Sequence, residues 1–205
     1  IGGSSVVRAK GLNGKWATSG NSPTGSSSAI EVAGTAKLVV SETPYIGRHP
    51  NGVQTVRIAE AGRFECEDGA EALQIGYNAN FTSGVTTGIL ELVDHAYCSM
   101  LGCIVGYSGA SSYPSYGHVT LSDQSVFIVP TTNDINVGST QKVSGEGLFE
   151  VFDDAVVTGR YFVVGYVGEG TLALKGGVAA VSKIYGKANG TLIADGGTFD
   201  VQASG

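Results

Sequence analysis

Carboxylate pairs, arginine and histidine are the residue types that cleave polysaccharides, and this chain carries all of them in scattered positions. Asp153-Asp154 and Asn133-Asp134 are acidic pairs of the sort acid–base hydrolysis uses. Gly117-His118 precedes both pairs and no Arg-x-Lys follows them, so their order does not make a hydrolase set. An eliminating enzyme wants an arginine base beside calcium-binding carboxylates. Arg57, Arg63 and Arg160 are present, with Glu65, Glu67 and Asp68 near the first two. Arg160 adjoins Gly159 at an expected corner, which suits a solvated side chain, and the acidic patch lacks the D-x-D-x-D-G spacing of a calcium loop. His49, His95 and His118 fall in separate segments, and Cys98 and Cys103 stand in a C-x4-C rather than a C-x2-C spacing. Neither metal nor cofactor is therefore expected. Three cysteines cannot all pair internally; Cys66, Cys98 and Cys103 either fill apolar interior positions, or Cys66 bridges to Cys98 between neighbouring turns.

Composition narrows the class. The chain has 42% hydrophobic and only 15% charged residues, too apolar for a disordered segment. Its net charge is −6 with scattered basic residues, so no basic stripe points to nucleic acid or an anionic membrane. No run of 18 apolar residues is present, and no transmembrane helix is expected. The chain begins at Ile1, which reads as a processed or trimmed product. Glycine supplies 32 residues, about twice its usual share of ~7%, without the three-residue period of collagen.

The elements that must carry these residues are short apolar runs separated by Gly, Ser, Asn and Asp, the pattern of many strands with tight turns. Residues 161–199 state one unit twice: Val164-Gly165 leads through Gly170-Thr171-Leu172 to Gly176-Gly177, and Tyr185-Gly186 leads through Gly190-Thr191-Leu192 to Gly196-Gly197. Two markers follow this unit upstream. Corner glycines Gly76, Gly106, Gly138, Gly165 and Gly186 are spaced by 30, 32, 27 and 21 residues. Turn residues Asp94, Asp123, Asp153, Gly176 and Gly196 are spaced by 29, 30, 23 and 20. Strands of three to five residues are too short to stand as hairpins. Stacked as parallel coils, they pair with counterparts above and below and share one interior. The expected fold is all-β: a parallel, right-handed β-helix or solenoid of about six coils over 29–205, preceded by an irregular arm over 1–28. In this reading 41–51 is a loop, and the corner aspartates accept backbone N–H groups rather than act as acid or base.

The units VGYVGEGTLALKGG and YGKANGTLIADGGTF resemble the glycine-rich β-strand repeats of autotransporter passengers and related bacterial surface β-helix proteins. The typical form there is V-G-x-x-G-x-G-T-L-x-[LIV]-x-x-G-G. The likeness is close over 161–200, degenerate over 54–160 and absent from 1–28. It implies an extracellular or bacterial cell-surface rod acting as adhesin, stalk or assembly unit. β-Helices also host polysaccharide lyases and hydrolases, so a carbohydrate-active enzyme, or a glycan-binding passenger fragment, is the alternative.

Two sets of residues suit binding. Tyr107, Tyr113 and Tyr116 lie in the insertion YSGASSYPSY, where small residues between rigid aromatics favour contact with a glycan or a host or cell-surface protein. The opposing reading folds these rings back on the rod. Tyr77, Tyr107 and Tyr166 each follow a corner glycine, which suits a structural aromatic row. For assembly, the arm anchors Val6, Val7, Leu12 and Trp16 either dock on a neighbour or cover the chain's own first turn. Phe199 and Val201 lie in a strand-like stretch with no cap behind it, so either the chain is a fragment of a longer protein or this edge takes a second copy in end-to-end association.

Overall fold

The computed structural model describes residues 6–9, 28–48, 50–67, 71–78, 84–109 and 113–201. Leu12, Trp16, His49 and Asp68 lie outside them. Among the described residues every regular element is a β-strand, and every strand pairing is parallel.

A seven-stranded sheet is formed by β2 (Ser28–Val32), β5 (Gly52–Ile58), β8 (Thr86–Leu92), β11 (Ser115–Leu121), β14 (Gly145–Phe152), β16 (Glu169–Lys175) and β18 (Gly190–Ala194), in that spatial order. A twelve-stranded sheet has two limbs. The first holds β1 (Val6–Ala9), β3 (Lys37–Val40), β6 (Arg63–Cys66), β9 (Tyr97–Ser99) and β12 (Val126–Ile128). The second holds β4 (Tyr45–Ile46), β7 (Leu73–Ile75), β10 (Cys103–Val105) and β13 (Asp134–Val137). The limbs meet in β15 (Val156–Val164), whose first half pairs with β12 and second half with β13. Beyond it lie β17 (Val178–Gly186) and β19 (Thr198–Val201).

Register is kept from unit to unit, and it follows from the side-chain alternation of a strand. Leu90 pairs with Val119, Val119 with Phe149, Phe149 with Leu172, and Leu172 with Leu192. The first four of these are fully buried, and the alternating pattern of β8 and β11 puts Ile89, Glu91, His118 and Thr120 outward. Both sheets feed one core, in which Phe149 meets Phe127 edge-on at 5.8 Å and Phe162 at 5.3 Å.

The shortening of the units has a physical source. Upstream, β12 and β13 are separated by a corner over 129–133; in β15 the two segments run on as one strand. Alternation slips there, with Arg160 and Tyr161 both half-exposed between buried Gly159 and Phe162. The bend is thus absorbed inside the strand, so no loop is needed.

Glycine pairs close the bases of the loops that join the second limb to the seven-stranded sheet. Gly106 has φ 81°, and a Cβ there would fall on the Glu146 carbonyl of the next unit. A Cβ on Gly117 would fall on the Gly106 amide and the Ile75 carbonyl. Gly76 with Gly88, Gly138 with Gly147, and Gly165 with Gly170 repeat the arrangement. Gly186 departs from the expected corner. It ends β17 opposite Val164 and is not among the positive-φ residues. Lys187 takes the turn position, with Gly190 N–H donating to its carbonyl at 2.9 Å. The expected loop over 41–51 also holds β4, which pairs with β7.

Candidate functional site

The corner aspartates are bound into the backbone. Asp94, Asp123 and Asp153 have φ of 61°, 57° and 53°, a conformation Asp tolerates better than most residues. Glu60 N–H donates to Asp94 Oδ2 at 3.1 Å, Asp94 N–H to Asp123 Oδ2 at 3.1 Å, and Asp123 N–H to Asp153 Oδ2 at 3.3 Å. Each carboxylate thus ties its own turn to the turn of the preceding unit. Glu60 (φ 57°) extends this column, a position that sequence reasoning missed because Glu rarely signals a left-handed turn. Gly176 and Gly196 continue it with positive φ.

Of the residues weighed for polysaccharide cleavage, two pairs meet: Arg63 with Glu65, and Arg160 with Asp134. Arg160 Nε donates to Asp134 Oδ1 at 2.8 Å, and the guanidinium lies 4.7 Å from the Tyr161 ring centre. Both line an open lateral groove of about 370 Å³ that also takes in Glu71, Asn133 and Asn136. The Asp134 hydrogen bond raises the Arg160 pKa, which disfavours the neutral guanidine a lyase base would need. The other arginines sit elsewhere: Arg57 is near Glu31 and Glu91 on the seven-stranded sheet, and Arg63 bonds Glu65 on the first limb.

His118 belongs to a different cluster, on the outer face of the seven-stranded sheet. Its Nε2 lies 2.9 Å from Glu150 Oε2 and 3.1 Å from Thr120 Oγ1. Lys175 Nζ donates to Glu150 Oε1 at 2.7 Å. Burial alone would push the Glu150 carboxyl up, yet the bonds from Lys175 and His118 hold it below its ordinary value. Glu65 is similar: burial opposes its ionisation, and Lys37 and Arg63 together lower its pKa. His95 follows Asp94 in a turn. Among the described residues no group of three or more His, Cys, Asp or Glu is arranged to hold a metal.

The tyrosines divide. Tyr77 and Tyr107 stack at 5.2 Å with ring planes 6° apart. Tyr45 joins them at 4.5 Å from Tyr77, and the Arg48 guanidinium lies 4.7 Å from the Tyr45 ring centre. Burial, with Tyr45 alongside, pushes the Tyr77 phenol up. Tyr107 therefore belongs to a packed row along the corner. Tyr166 does not: the intervening unit has buried Ser139 after its corner glycine, and Tyr166 is exposed near Lys187. Tyr113 and Tyr116 are each 40% exposed. Tyr116 lines a shallow groove with Ile89, His118 and Leu148, while residues 110–112 of the same insertion lie outside the described set.

Cys98 and Cys103 are buried free thiols, and burial pushes both well up from the usual thiol range. Cys98 packs in the core opposite Phe64 and Phe127, so the Cys66–Cys98 bridge is not formed. Cys66 is half-buried against the same core.

At the ends, Val6 and Val7 lie in β1, whose backbone register sets them opposite Lys37 and Leu38 of the same chain. Phe199 is partly buried against the core, and Val201 is 54% exposed. Leu192 occupies the interior row of Leu172 yet is 46% exposed. No family model, curated protein or solved structure matches this chain.

Proposed function

We propose that this chain is a structural and adhesive parallel β-solenoid of the extracellular space or bacterial surface, and that its copies associate end to end into a filament. The observation that carries this reading is the uncovered interior at β18 and β19. Leu192 and Val201 occupy positions whose equivalents in the preceding unit, Leu172 and Val181, are buried. Burying an apolar side chain of this size is worth about 1.5–3 kcal/mol, so a further parallel unit would be held there by the core forces that hold the others. Elsewhere the polar groups engage one another: Asp153 holds a turn, Arg160 holds Asp134, and Glu150 holds Lys175.

Electron microscopy and sedimentation of the purified chain test this. Rods of one chain's width, lengthening with concentration, are expected; a monodisperse monomer at high concentration would overturn it. Glycan contact, or cleavage by a carbohydrate-active enzyme, is the second reading. It is favoured by exposed Tyr113 and Tyr116 and by the groove that holds Glu71, Asp134 and Arg160. Turnover of an acidic polysaccharide that is lost in Asp134→Ala or Asp153→Ala would establish the enzyme in its place.

A further inference from the structure

The end-to-end reading leaves open which strands meet, and the inference here rests on that reading. We propose that β18 and β19 of one copy pair with β2 and β3 of the next, and that β1 is an in-chain cover over β3 that must leave before they can.

The interior rows define the contact. Ile30 and Leu192 belong to one row, Val32 and Ala194 to a second, and Leu38 and Phe199 to a third. Setting β18 against β2 in this register continues all three rows across the junction and brings apolar side chains together. It also sets Glu31 opposite Ile193 and Val39 opposite Asp200, so no like charges face each other across the strands, a juxtaposition that would disfavour pairing. β18 reads GTLIA and carries no charge, whereas edge strands that must stay single are commonly protected by charge or proline. The occupant is a second copy because the two ends carry the same two strands in the same register.

β2 is the edge of the seven-stranded sheet among the described strands, but β3 is not an edge: β1 lies on it, Val7 opposite Leu38. With β1 in place, β19 of a neighbour is held one strand spacing, about 4.8 Å, further from β3. β18 then cannot reach β2. The incoming five- and four-residue strands compete with β1's four, so exchange gains pairings while the cover delays it.

A lock and a release test this, both in the full chain. Val6 and Lys37 are register partners, within the reach of a disulfide. Oxidised Val6→Cys/Lys37→Cys is expected to stay monomeric where the wild type elongates, and to elongate on reduction. Val7→Asp, which sets a charge opposite Leu38, is expected to lower the critical concentration about tenfold or more, the ratio that about 1.4 kcal/mol represents. A locked chain that elongates like the wild type overturns the cover and leaves the end-to-end reading standing. So does a Val7→Asp chain with unchanged circular dichroism that assembles more slowly, because β1 would then be the docking element. Failure of both the wild type and Val7→Asp to assemble overturns the two together. For the register, oxidation of mixed Ala29→Cys and Thr191→Cys chains should join the two species; absence of that product in assembled material overturns the pairing.

Discussion

The units built on β8, β11 and β14 and those built on β16 and β18 share interior rows but are held differently. In the upstream units each strand has a neighbour on both sides and an aspartate ties each turn to the one before, with separate strands forming the two limbs after β8 and β11. After β14 and β16 the limbs run on as one strand; in the downstream units Gly176 and Gly196 replace the aspartates, and nearly all of β18 is exposed. The same register therefore does not mean the same stability. What a side chain contributes depends on whether a unit covers it, as expected where repeats contact only their neighbours.

The largest effect should come from the best-covered interior position. Phe149→Ala removes a ring packed against Phe127 and Phe162 and should cost about 3–5 kcal/mol in chemical denaturation. Sharper still is one row read at two units. Leu172→Ala should cost about 2–5 kcal/mol, while Leu192→Ala, on the exposed unit, should cost the monomer less than about 1 kcal/mol and instead weaken assembly. Equal costs would mean that β18 is already covered in the monomer.

Smaller effects probe the turns. Asp123→Gly keeps the left-handed backbone but removes the acceptor for Asp94 N–H, and should cost about 0.5–1.5 kcal/mol. Asp123→Ala should cost more, because alanine at φ 57° adds about 1–2 kcal/mol. The smallest effect is one of pH. Glu65 and Glu150 have lowered pKa values in the folded chain. Their contribution is therefore present above the unfolded carboxylate value of about 4.3 and is lost as pH falls through the folded values. Glu150→Gln should flatten the fall in melting temperature below about pH 4.5 relative to wild type.

Much of this was legible from residue types and spacing. Strand runs such as Leu148 to Phe152 and turn residues such as Asp123 announce themselves, because β-branched and aromatic runs and left-handed turns each have narrow residue preferences. The parallel pairing followed from the recurrence of one unit in one order. What stayed hidden depended on three dimensions. Nothing local marks Val156 to Val164 as one strand serving both limbs, since the slip of alternation at Arg160 and Tyr161 looks like an ordinary corner. Gly186 was misplaced by one residue because a glycine beside Tyr185 imitates the Gly-Tyr pairs at Gly76 and Gly106. The meeting of Arg160 with Asp134, 26 positions apart, and of His118 with Glu150 follows from register, which the spacing of short strands leaves loose by a residue or two.

The glycine pairs at the loop bases carry a consequence for engineering and for divergence. The loop between Gly106 and Gly117 and the much shorter one between Gly165 and Gly170 spring from the same pinched base, so the scaffold has already accommodated several loop lengths without shifting a strand. A peptide grafted between Gly106 and Gly117 would be displayed from a fixed root, and several such roots stand in line along one seam. Related chains should differ most in length and sequence inside these brackets, and least at the glycines that form them.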